Sequence, residues 1–285
     1  MGELFGIVAD RQLQWSVHFR EDGHPRGYRE EGWGVAALQG PAALTIKEAA
    51  SRPDPATAAM LREGRALRGE AAIAYIRRWT HSASLANSHP FVRELGGREW
   101  AFAHNGNVAD LMHAPGWEPA RFRPVGSTDS EFAFCALLDR LAAARAGGAE
   151  AVPGPSSDGA RALAELLGPL SQSIARHGMF NYLLATERCL VVFSSGEYGL
   201  YVLEMASVPT PMVLADEDWE MEIRGEGSLG PCIIAASNPM TDGPWQRMEG
   251  GEIIVAVDGR LAARRPPVAV VLRGRRPRRG QGAAP

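Results

Sequence analysis

The chain has 285 residues, 45% of them hydrophobic, and a formal net charge of −3. That is enough chain for one large domain or two small ones, with the composition of an ordinary globular protein. No apolar run reaches the roughly 18 residues a membrane-spanning helix needs. The start, MGELFGIVADRQLQW, has no basic region followed by a long apolar stretch, so a soluble, cytoplasmic protein with no membrane partner is expected. Cys135, Cys189 and Cys232 lie far apart with no CxxC spacing, which argues against a disulfide framework and against a zinc site; buried, reduced thiols and no metal are expected. Basic residues gather in RGRRPRRGQGAAP from Arg273. Without interleaved aromatics this reads as a solvated end, and nucleic acid is not expected as a partner.

In chain order, Glu3 to Asp10 and Trp33 to Leu38 are short apolar runs that read as strands, with the turn-like EDGHPRG between them. DPATAAMLREGRAL, from Asp54 to Leu67, changes to a helical period, with Ala58, Leu61 and Ala66 or Leu67 on one face. AAIAYIRR (Ala71 to Arg78) and EWAFAHN (Glu99 to Asn105) return to strand character, and both carry polar residues at their far ends. Ser130 to Ala144 is an amphipathic helix with Thr128 or Asp129 as its N-cap. Gly147 to Gly159 is a loop by composition, and a second helix runs from Ala160 to about Arg176. FNYLLAT, LVVFSS, GLYVLEM, PCIIAAS and EIIVAVD then follow as strands. Two groups of strands with few helices fit an α+β layered sandwich better than alternating βα units. One domain over 1–265 is expected, with 266–285 holding a last strand and a flexible Arg/Pro/Gly-rich tail.

Four stretches place polar groups at strand or helix ends: YIRRWTHS from Tyr75, NSHPF from Asn87, AHNGN from Ala103 and GSTDSE from Gly126. Singly, each has an ordinary structural explanation. HNG after a strand is commonly a turn, and TDSE before an apolar helix is a helix cap. Arg77 reads equally as a surface arginine and His89 as a core histidine. Their joint order, with ELFGIVA at the start and EEGWGVA from Glu30, resembles the class II glutamine amidotransferases, in particular the small stand-alone kind without a synthase domain. The resemblance runs from residue 3 to about 258 and takes in MFNYLLAT and IIAASNPMT.

The resemblance implies a four-layer α/β/β/α sandwich of the N-terminal-nucleophile hydrolase type. It also implies hydrolysis of γ-glutamyl amide bonds, in glutamine or a γ-glutamyl conjugate, through a thioester and with no cofactor. Arg77 matches the arginine that pairs with the substrate α-carboxylate, a role suited to a planar guanidinium. Asp129 matches the carboxylate that receives the α-ammonium. Asn105 and Gly106 match the oxyanion hole, and glycine is apt where backbone approaches substrate. Thr80, His81 and His89 match positions lining the same pocket, with a structural role equally open for the two histidines. Any use of released ammonia would need a separate partner protein.

Two residues depart from the family pattern. A histidine is common at the position of Tyr75, a change expected to act from behind the pocket wall and to be tolerated. More severely, Gly2 stands where the family carries its nucleophilic cysteine. The thiol is thereby lost, while an α-amine exposed by removal of Met1 would remain. The chain is therefore expected to bind but not to turn over. Gly2 is open to three explanations: a deliberate inactivating substitution, a natural loss leaving a γ-glutamyl-binding sensor or assembly subunit, or a member repurposed for another reaction. The otherwise complete pocket favours the first.

Overall fold

The computed structural model describes residues 2–20, 30–65, 67–78, 84–147, 157–225 and 229–267, the side chains at 30, 31, 77, 78 and 157 excepted. The first half of the chain forms strands β1 (Glu3–Phe19), β2 (Glu30–Gln39) and β3 (Ala42–Glu48), helix α1 (Pro55–Glu63), then β4 (Arg68–Arg78), β5 (Phe91–Glu94) and β6 (Glu99–Asn107). Two helices follow, α2 (Asp129–Ala146) and α3 (Ser157–Ala175). The remaining strands are β7 (Met179–Thr186), β8 (Cys189–Ser194), β9 (Tyr201–Met205), β10 (Met212–Ala215), β11 (Trp219–Arg224), β12 (Cys232–Ala236), β13 (Gln246–Arg247), β14 (Glu252–Val257) and β15 (Arg260–Arg265).

These strands make two antiparallel sheets. One runs β13-β9-β12-β1-β4-β2-β3, with β11 also pairing β1 and β10 pairing β11; the other runs β15-β14-β8-β7-β6-β5. Period-two alternation assigns each residue to a layer. In β1, Leu4 and Val8 point between the sheets, where they meet Ala103, Leu183 and Val192 of the second sheet. Phe5, Ile7 and Ala9 point the other way, into a core closed by Leu61 of α1 and by Trp15, Trp33 and Trp219. The far face of the second sheet carries Phe102, Phe180 and Phe193 against Phe134 and Leu138 of α2 and Leu163 and Leu167 of α3. The result is the α/β/β/α layering expected from the sequence. It also explains why β7, MFNYLLAT, is buried at every position: a strand covered on both faces needs no polar side.

The elements differ from the sequence expectation mainly in extent. β1 continues past Asp10 to Phe19, because the register against β4 shifts between Val8 and Leu13 and returns Leu13, Trp15 and Val17 to the core. α1 stops at Glu63 rather than Leu67, since Gly64 adopts φ 66 as its left-handed C-cap while Asp54 caps the other end. Of the two possible caps of α2, Thr128 is the one used: its hydroxyl accepts from Glu131 N at 3.1 Å. The short strands β3, β5, β10, β11, β13 and β15 were absent from the sequence reading. The core of the loop at 147–159 and the tail from 268 onward lie outside the described residues. Among the described residues no helix is long and apolar enough to cross a membrane.

Candidate functional site

The site is organised around the start of β1. Pairing sets Glu3 opposite Ile76 and Leu4 opposite Tyr75 on β4. On the other side Ser237 clamps Leu4, its Oγ accepting from Leu4 N at 3.0 Å and its own N–H donating to Leu4 O at 3.0 Å. Gly2 is thereby buried at the strand end, and its backbone nitrogen donates to Asn105 Oδ1 at 3.1 Å. Asn105 sits near the end of β6 in the other sheet, opposite Asn181 of β7, and is 4% exposed. Because a backbone N–H can only donate, this contact fixes which way the Asn105 amide faces.

Gly106 follows in a spot that no side chain fits. A Cβ there would lie 2.0 Å from Met179 O and 2.5 Å from His104 Nε2. On the helix side of β6, buried His104 has Nδ1 2.9 Å from Ser130 Oγ and Nε2 3.2 Å from Met179 O. A carbonyl only accepts, so Nε2 carries the proton and Nδ1 accepts from the serine hydroxyl. Burial pushes the imidazole below its ordinary pKa, against the opposing pull of Asp129 and of the Met179 carbonyl.

Asp129 opens α2 and is half-buried. Its Oδ2 accepts from Val108 N at 2.6 Å and its Oδ1 from Ser130 N at 2.9 Å. The helix N-terminus favours this negative charge. Residues 104–108 and the first turn of α2 are thus tied into one unit, carrying Asn105, Gly106 and Asp129 together. The family model described as "Glutamine amidotransferases class-II" matches residues 1–273.

This chain belongs to the class II glutamine amidotransferases. It is 29% identical over 261 residues to "Putative glutamine amidotransferase YafJ" of Escherichia coli K12, covering 88% of this chain and 96% of that protein. It is 28% identical over 270 residues to "Uncharacterized protein MJ1515" of Methanocaldococcus jannaschii, covering 92% and 70%. Among solved structures, a predicted glutamine amidotransferase from Pseudomonas aeruginosa superposes with a TM-score of 0.67 at 29% identity, covering 92% of this chain and 99% of that one. The glutamine phosphoribosylpyrophosphate amidotransferase of B. subtilis shares the fold, with a TM-score of 0.54 at 16% identity over 93% of this chain and 49% of that one.

The other sequence-identified residues of this amidotransferase-family chain fall as follows. Arg77 stands near the end of β4, opposite Gly32 and one step past Ile76, so its backbone lies beside the start of β1; its side chain is outside the described residues. Thr80 and His81 lie outside them entirely. His89 is 3% exposed, its ring 4.3 Å from that of Tyr75 and 4.5 Å from that of Phe91. Tyr75, expected behind the pocket wall, packs directly against residue 2. A Cβ on residue 2 would lie 2.2 Å from its Oη.

Two groups that sequence reasoning passed over hold the neighbouring loops. The Glu131 carboxylate, 1% exposed, pairs with Arg93 and accepts from Gly126 N at 2.7 Å. Lys47 donates to Ser88 O at 2.8 Å, and burial lowers its pKa against the pull of Glu131. His104 was equally missed, although it lies inside the quoted HNG tripeptide.

None of the cysteines stands in for a thiol at residue 2. Cys135 and Cys189 pack in the helix-side core and Cys232 in the α1-side core. Burial pushes each thiol up to about 12. At neutral pH these thiols stay protonated. Among the described residues, no group of three or more His, Cys, Asp or Glu side chains could hold a metal ion.

Proposed function

We propose that this chain holds the amino-acid head and γ-amide of glutamine, or of a γ-glutamyl conjugate, without cleaving it. The observation that carries the reading is Gly2: its nitrogen touches Asn105, at the place where the family chemistry starts, and it has no side chain with which to attack a carbonyl. Arg77 would pair with the α-carboxylate and Asp129 with the α-ammonium, with Thr80, His81 and His89 lining the pocket. The γ-carbonyl oxygen would lie against the Asn105 amide and the Gly106 N–H.

In a chain with cysteine at residue 2, the thiolate would attack the γ-carbonyl and expel ammonia or an amine. Water would then hydrolyse the γ-glutamyl thioester. With Gly2 the anchors and the oxyanion donors remain, while the bond-forming atom is missing. The buried, protonated thiols of Cys135, Cys189 and Cys232 favour this reading over a displaced nucleophile. A chain of this kind serves as a γ-glutamyl sensor or as an assembly subunit for a partner protein.

Isothermal calorimetry with L-glutamine, L-glutamate and a panel of γ-glutamyl amides, run beside an ammonia and glutamate assay, tests the proposal. Heat of binding without product release is expected for at least one ligand. Product formation above a protein-free blank, or absence of binding across the panel, would overturn it.

A further inference from the structure

Residue 2 is hemmed in from two sides. A Cβ placed there would lie 2.2 Å from Tyr75 Oη, 2.3 Å from Tyr75 Cζ and 2.5 Å from the carbonyl oxygen of Ile76. All three are far inside van der Waals contact. The Ile76 carbonyl belongs to β4, whose Ile76 is the register partner of Glu3, so it cannot retreat without disturbing the β1–β4 pairing. The phenol has little room either: Tyr75 is 5% exposed, and its ring packs on His89, which packs in turn on Phe91.

We propose that Gly2 and Tyr75 are a matched pair, in which the Tyr75 phenol fills the volume that a nucleophile side chain at residue 2 would occupy and becomes the group facing a ligand carbonyl held at Asn105. The inference rests on the proposed function for its ligand and on geometry alone for its pair. It changes the meaning of the glycine. A single inactivating substitution of a working cysteine would leave a hole beside residue 2, whereas here the space is taken by a large side chain from the adjacent strand. Loss of the nucleophile is written into two positions, and restoring one of them does not restore the site. The pocket becomes one in which a γ-glutamyl group is a ligand rather than a substrate.

The test is a double-mutant cycle on the full chain: parent, Gly2→Cys, Tyr75→Ala and the double variant, each checked for removal of Met1 by intact mass. Thermal midpoints are measured, together with the rate at which the introduced thiol reacts with iodoacetamide. Gly2→Cys alone is expected to lower the midpoint by roughly 5 °C or more. Tyr75→Ala removes the phenol but leaves the Ile76 carbonyl, so rescue is partial. The double variant should melt above the sum of the two single losses but below Tyr75→Ala alone, and its thiol should react at least about tenfold faster than in Gly2→Cys alone. Additive losses with equal thiol reactivity would overturn the pairing.

Should Gly2→Cys fail to fold, Gly2→Ala, which adds only the Cβ, repeats the cycle in the parent and Tyr75→Ala backgrounds. Rescue by Tyr75→Ala supports the pair, and a failure common to both backgrounds refutes it. No ligand enters these measurements, so a failure of glutamine to bind would sink the proposed function and leave the Gly2–Tyr75 pairing to be judged by its own cycle.

Discussion

The rings of Tyr75 and His89 pack with centroids 4.3 Å apart, at an interplanar angle of 48°. This contact holds the phenol against residue 2, and Phe91 backs the imidazole from the other side at 4.5 Å. His89→Ala would leave a void under Tyr75 that the surrounding strands cannot collapse to fill. A loss of about 2–4 kcal/mol in unfolding free energy is expected, measured by urea titration. His89→Phe keeps the ring stack and should lose less. Equal losses for the two variants would show that the stack does not support Tyr75.

Asn105 faces Gly2 with its oxygen, so its nitrogen is the arm left to meet a ligand carbonyl. Asn105→Ala removes both arms. Affinity for the best-binding γ-glutamyl amide in calorimetry should fall about tenfold or more, the usual cost of a hydrogen bond lost from a buried site. Unchanged affinity would move the ligand carbonyl away from this residue.

The Glu131 carboxylate is 1% exposed and depends on Arg93 and on the Gly126 N–H. Arg93→Met strands that charge in a dry environment, and unfolding free energy should drop by about 3–5 kcal/mol. Adding Glu131→Gln to Arg93→Met should recover a large part of the loss, because a neutral amide still accepts from Gly126. A double variant no more stable than Arg93→Met would place the effect in packing instead.

His104 supplies a pH dependence whose sign follows from its burial. Its folded-state pKa lies below that of the unfolded chain, near 6.5, because burial penalises the imidazolium more than Asp129 and the Met179 carbonyl favour it. Below about pH 6.5 the unfolded chain takes up a proton that the native state refuses. Stability from this residue is therefore complete above that pH, and falls as pH drops toward the lower folded-state value. Unfolding free energy measured between pH 5 and 7.5 should rise with pH, more steeply in the parent than in His104→Asn. Parallel profiles would exclude His104 as the titrating group.

The sequence exposed the elements whose pattern is local. The apolar runs of β4, β6, β7, β12 and β14 and the TDSE cap of α2 can all be read within a few residues. The amphipathic face expected of α2 is not there, since Ala133 to Leu138 are buried all round the helix. Edge strands such as β5 and β13 could not be read this way: each is short, and its existence depends on a partner already in place. The alternation W-M-I in β11 was a readable signal, since its burial alternates to match.

The same division governs the site. The resemblance to the family, carried by the joint order of the motifs, picked out Asn105, Gly106 and Asp129 as candidates and marked Gly2 and Tyr75 as the two departures from its pattern. Side-chain identity says what chemistry a residue can offer, but only strand pairing decides what it touches. The register of β1 on β4 carries Tyr75 to residue 2, and the stacking of one sheet on the other carries Asn105 to the same point. Two changes that read as independent along the chain become one packing event in three dimensions, because two side chains cannot occupy one volume.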